Sequence, residues 1–93
     1  MVKKINDKLI VKPEWVFNTY AVFLLKSFLD DKIKTIEVDF SGTRLVDTDG
    51  ISFLYQQAKE GKNIILKNPP EIMFDILRVL DIEDIFYKAV HIK

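Results

Sequence analysis

The 93-residue sequence has no cysteine, a single histidine (His91), three glycines and three prolines. Without cysteine, disulfide bonds, thiolate metal ligands and a cysteine nucleophile are excluded. With one histidine and no glycine-rich phosphate loop, the chain also lacks most of the groups from which active sites are built. We therefore expect a protein that is not an enzyme and that holds no cofactor and no metal.

An excess of one charge is also missing, because 14 basic residues balance 14 acidic ones. Proteins that bind nucleic acids need a basic surface, so we expect no nucleic-acid partner. The most apolar stretch, residues 20–25, is too short to cross a bilayer. Residues 1–7 are polar and lack the apolar segment of a secretory signal. These features predict a cytoplasmic protein that does not insert directly into a membrane.

Hydrophobic residues make up 48% of the chain, enough for a core in one small domain spanning residues 1–93. The pattern predicts an N-terminal hairpin around Asn6-Asp7, and then strands that alternate with helices. The predicted elements after the hairpin are a helix from Asn18 or Thr19 to about residue 29, a strand at 33–40, a helix at about 50–60 ending at Gly61, a strand at 64–66 and a helix after Asn68-Pro69-Pro70. This order indicates an α/β fold with a mixed four- to five-stranded sheet covered by helices.

Three further local predictions concern the segments between and after these elements. Residues 41–46 are expected to form a connection in which Leu45 and Val46 point inward. Asp81 is expected to cap a short final helix carrying Ile82, Ile85 and Phe86, and residues 87–92 are expected to form a closing strand.

The most informative segment is Asp47-Thr48-Asp49-Gly50, which lies between a predicted strand and an amphipathic helix. Backbone N–H groups at a helix start have no intrahelical partner and favour a negative group such as phosphate or carboxylate. Helix capping by the side chains is the simpler role for this segment, with Asp49 as cap and Asp47 as turn former. Gly50 is explained by close packing or by loop geometry.

The ordered motifs of the chain resemble those of the STAS domain, the fold of bacterial anti-sigma factor antagonists and of sulfate-transporter tails. The resemblance covers about residues 8–87. The matching segments are Val38-Asp39-Phe40-Ser41-Gly42, Asp47-Thr48-Asp49-Gly50, Gly61, Ile64-Ile65-Leu66-Lys67-Asn68-Pro69 and Leu80-Asp81-Ile82-Glu83-Asp84-Ile85-Phe86. The resemblance implies a STAS-like fold and a non-enzymatic regulatory protein that binds an anti-sigma factor/serine kinase or another regulatory protein.

In antagonists of this family, a partner-switching kinase phosphorylates a hydroxyl residue between the Asp and the Gly that match Asp47 and Gly50. The added charge disrupts binding of the antagonist to the kinase/anti-sigma factor. Here the two positions carry Thr48 and Asp49. One hypothesis makes Thr48 the phosphoacceptor beside a tolerated Asp49. The other treats Asp49 as a fixed charge that makes the site non-switchable, and we favour it.

The resemblance places the binding surface at this turn and on the outer face of the following helix. We expect Ser52, Phe53 and Gln57 to lie on that face, with Phe53 as an exposed anchor for the partner. The sequence leaves open whether the chain also forms a homodimer.

Two other functions are compatible with parts of the sequence. Small STAS proteins also serve as accessory subunits of lipid-transport ABC systems, which gene neighbourhood would distinguish. Asp47-Thr48-Asp49-Gly50 also fits the Asp-x-Asp-Gly nucleophile motif of haloacid-dehalogenase-like Mg-dependent phosphatases. That motif follows a buried strand directly, whereas residues 41–44 intervene here. An Asp39–Asp47 metal pair is likewise disfavoured, because Asp39 is better explained as bonding N–H groups of the turn near Ser41.

Overall fold

The computed structural model describes residues 2–93, which form seven strands and four helices. In chain order these are β1 (Val2–Ile5), β2 (Lys8–Val11), β3 (Trp15–Phe17), α1 (Thr19–Lys26), β4 (Thr35–Asp39), β5 (Thr43–Val46), α2 (Thr48–Lys59), β6 (Asn63–Lys67), α3 (Glu71–Val79), α4 (Glu83–Ala89) and β7 (His91–Ile92).

The main sheet has five strands in the order β1-β2-β4-β6-β7. The β1–β2 pair is antiparallel, and the other three pairs are parallel. Ile5 pairs with Lys8, which leaves Asn6 and Asp7 as a two-residue turn, and Asn6 adopts a φ of 54°. The predicted hairpin and the predicted mixed α/β sheet are therefore both confirmed.

One face of this sheet carries the hydrophobic core. The strand residues that alternate onto it are fully or almost fully buried, and apolar side chains from all four helices described in residues 2–93 join the same cluster. The inward strand residues are Leu9, Val11, Ile36, Val38, Ile64 and Leu66. This one-sided burial places α1 and α2 on the same side of the sheet.

The opposite face of the sheet centres on Glu37, a buried carboxylate on the middle strand. Its oxygens lie 3.0 Å from Lys8 Nζ and 3.5 Å from Lys67 Nζ. The hydrogen bond from Lys8 and the positive charges of both lysines hold the pKa of Glu37 below its ordinary value. The ionised form of Glu37 therefore contributes to the stability of the folded state.

We expect acidification to destabilise the protein partly through Glu37. Because its pKa is lower in the folded than in the unfolded state, this contribution is present above the unfolded pKa and is lost as pH falls through the folded pKa. Urea unfolding measured between pH 7 and pH 3 should therefore show a smaller loss of stability in Glu37→Gln than in the wild type. Glu14→Gln, at an exposed position, is the control; equal pH dependence in wild type and Glu37→Gln would contradict this account.

Several local predictions are wrong. The segment 41–46 contains β5, and Leu45 is 60% exposed while Val46 is buried. Asp81 has a φ of 55° and does not cap α4, which begins after Ile82 without a side-chain cap. α4 continues to Ala89, so the closing strand is only His91–Ile92. Phe86, which was predicted to lie in this helix, is fully buried in the core.

Candidate functional site

Two short strands outside the main sheet position the candidate site. β3 and β5 pair in parallel, with Phe17 opposite Val46, and each strand leads directly into a helix. The first turns of α1 and α2 therefore lie side by side. This pairing was missed from the sequence because each strand is only three or four residues long, too short for a clear period-two pattern.

Asp47 fixes the start of α2 with two hydrogen bonds. Its Oδ1 accepts from the Gly50 N–H at 2.9 Å, and its own N–H donates to the Phe17 carbonyl at 3.1 Å. The helix consequently begins at Thr48 rather than at Gly50. Asp47, and not Asp49 as predicted, is the capping residue.

Gly50 allows α2 to approach β3 closely. A Cβ atom at this position would lie 2.7 Å from Cδ2 of Phe17 and 2.8 Å from its carbonyl oxygen. No side chain fits at such distances, so close packing explains the glycine. Phe17 itself is fully buried and packs edge-on against Phe40.

Thr48 and Asp49 occupy the first turn of α2, and both are exposed. The Thr19 hydroxyl, from the first turn of α1, donates a hydrogen bond to Asp49 Oδ2. A carboxylate therefore already lies beside two helix N-termini, the location that favours negative charge. In the chain, Thr48 is flanked by the two acidic residues Asp47 and Asp49.

The expectation that Phe53 and Gln57 face solvent is wrong. Their side chains are only 6% and 8% exposed, because α1 lies against this side of α2. Val22 of α1 lies beside both Phe53 and Gln57. The hydrophobic periodicity of α2 alone could not reveal this neighbouring helix. Ser52 is exposed as predicted, and with Asp49 and Gln56 it forms the outer stripe of α2.

A groove of about 580 Å³ separates the exposed edges of the two helices. Thr19, Val22 and Lys26 line it from α1, whereas α2 contributes residues from Asp49 to Gln57, with Glu60 beyond its end. Oε1 of Gln57 is buried and has no hydrogen-bond partner in the described structure. This groove is adjacent to the Asp47–Gly50 turn.

The other acidic residue considered from the sequence, Asp39, has a structural role. Its Oδ1 accepts from the Ser41 N–H at 3.0 Å and lies 3.3 Å from Nδ2 of Asn68. The Ser41 N–H in particular, followed by the Asn68 amide, holds the pKa of Asp39 below its ordinary value. The predicted turn bond is thus confirmed.

Residues 2–93 offer neither a metal-binding cluster nor a membrane-spanning helix. They contain no cluster of three or more histidine or acidic side chains able to hold a metal ion. Within the same span, every helix is too short or too polar to cross a lipid bilayer.

Comparison with known proteins identifies the fold. No protein-family model and no curated protein sequence matches the chain. Among solved structures, the chain is similar to the anti-sigma factor antagonist SpoIIAA in its unphosphorylated form, with a TM-score of 0.67 and 15% sequence identity. The match covers 84% of this chain and 80% of SpoIIAA. The STAS-like fold predicted from the motifs is therefore confirmed by a likeness of structure at very low sequence identity.

Proposed function

We propose that this chain is a non-enzymatic regulatory module of the anti-sigma factor antagonist kind. It binds an anti-sigma factor/serine kinase through the Asp47–Gly50 turn and the outer stripe of α2. The observation that carries the proposal is the exposed Asp49 carboxylate in the first turn of α2. This charge lies at the point of the fold where the resemblance to antagonists places the regulated position.

The binding surface differs from the one expected from sequence. Phe53 and Gln57 are buried between α1 and α2, so they pack behind the exposed residues and do not contact the partner. The surface offered to a partner consists of Thr48, Asp49, Ser52 and Gln56. It is polar, which suits a regulatory complex that forms and dissociates.

We further propose that the module is non-switchable. Asp49 carries about one negative charge, roughly half that of a phosphate at neutral pH. Its bond from the Thr19 hydroxyl holds this charge at the helix start. A phosphate on Thr48 would add negative charge directly next to two acidic residues of the chain, Asp47 and Asp49, and like charges repel.

The test uses serine kinase/anti-sigma factors encoded in the same genome as this chain. Each is titrated with the chain by calorimetry and then incubated with the complex and ATP, and the intact mass of the chain is measured. We expect one kinase to bind without transferring phosphate, while it phosphorylates another antagonist used as a control. A phosphate that is absent in Thr48→Ala would overturn the non-switchable part, and no binding to any such kinase would overturn the function.

A further inference from the structure

Helix α1 presents a bulky apolar ridge to solvent, formed by Tyr20, Phe23 and Leu24. Tyr20 is 69% and Phe23 is 71% exposed, and Leu24 is also exposed. The opposite side of α1 is buried through Val22 and Leu25, so the ridge is not needed for the core. Exposed apolar surface of this kind marks an interaction site in a small protein.

The charges along the groove are arranged so that the surface complements itself. Because α1 and α2 precede the parallel strands β4 and β6, the two helices run in the same direction. Asp49 lies at the N-terminal end of the groove, and Lys26 lies at the C-terminal end of α1. Glu60, near the Lys26 end, already accepts from Nε2 of Gln56 at 3.4 Å. A twofold axis through the middle of α1 would bring each lysine to the opposite copy's aspartate.

We propose that this surface binds a second copy of the chain, with the two α1 helices packed antiparallel across a twofold axis near Phe23. Phe23 lies near the middle of α1, so Lys26 of one copy comes opposite Thr19 and Tyr20 of the other. Lys26 then pairs with Asp49 of the second copy. The apolar ridges of the two α1 helices then pack against each other across the axis, with Phe23 of each copy nearest to it.

The size of the surface fixes the expected strength. The two aromatic side chains offer on the order of 100–150 Å² each, and Leu24 and the polar rim add to this. The total lies at the low end of protein interfaces, which bury about 800 Å² per partner. The dimer should therefore be weak, with a Kd on the order of 100 µM.

The test is sedimentation velocity of the chain alone between about 10 µM and 1 mM. We expect reversible dimerisation that is lost in Phe23→Ser and weakened in Tyr20→Ser, which removes an exposed ring from the ridge. Val79→Ser, which removes an exposed apolar side chain from α3, is the matched control and should dimerise normally. A monomer at every concentration would overturn the proposal and leave the ridge to a different protein.

Charge reversal identifies the interface. Lys26→Glu and Asp49→Lys should each weaken the dimer at least tenfold, and the double variant should restore it, because the ion pair is re-formed with opposite polarity. Circular dichroism verifies that each variant is folded. A dimer that persists in both single variants, or that the double variant fails to restore, would overturn this arrangement. No kinase is present, so the result is independent of the function proposed above.

Discussion

Replacing Gly50 with alanine is expected to lower the free energy of unfolding by about 2–3 kcal/mol, since the new methyl group overpacks a filled site. The Cβ atom would meet both the ring and the carbonyl oxygen of Phe17 at less than 3 Å. The ring can shift, but the carbonyl belongs to β3 and accepts the bond from Asp47. Relief therefore requires α2 to move away from β3, which separates the two helix starts.

Chemical denaturation of Gly50→Ala measures this loss, and Gly42→Ala is the matched control. A Cβ at Gly42 meets only the Pro13 carbonyl oxygen, at an ordinary 3.5 Å. Gly50→Ala should cost less in a Phe17→Leu background, because the smaller side chain removes the clash with the ring but not the clash with the carbonyl. Equal stability of Gly50→Ala and Gly42→Ala would show that the close approach of α2 to β3 is not rigid.

Reversing the charge at Asp49 is expected to weaken kinase binding by at least 100-fold, or about 2.7 kcal/mol. Asp49→Lys loses the bond from Thr19 and places a positive charge at two helix N-termini, in the middle of the proposed binding surface. Titration calorimetry with the kinase identified above measures the change.

The matched control is Asp84→Lys. Asp84 is also exposed and also lies in the first turn of a helix, α4, so its reversal imposes a similar cost on the helix. We expect Asp84→Lys to bind the kinase like the wild type. If both variants bind equally well, the Asp47–Gly50 turn is not the binding surface.

The sequence predicted the main elements of the fold because their signals are local. The Asn6-Asp7 turn, Asn18 as a helix cap and Gly61 with its φ of 97° are each read from a few neighbouring residues. The motif order then assigned the STAS-like sheet. What it did not predict is the β3–β5 pair, beside which the Thr43 hydroxyl bonds to the carbonyl oxygen of Pro13, 30 residues away and just before β3.

The candidate site was predicted only in part for the same reason. The Asp47–Gly50 turn was located correctly in the chain at the start of α2, because a cap is a local feature. The burial of Phe53 and Gln57 depends on α1, and the bond from Thr19 to Asp49 depends on the juxtaposition of two helix starts. The sequence pattern of α2 predicts neither this burial nor this hydrogen bond, because both arise from tertiary packing against α1.

The separation of β3 and β5 from the five-stranded sheet has a consequence for local stability. These strands pair only with each other within the described structure, so their contact can break while the main sheet keeps its hydrogen bonds. Such sub-global opening costs less than complete unfolding. Phe17 of β3 and Val46 of β5 are also buried in the hydrophobic core, so opening this pair would expose core side chains, and the geometry around Asp49 is coupled to the packing of the core.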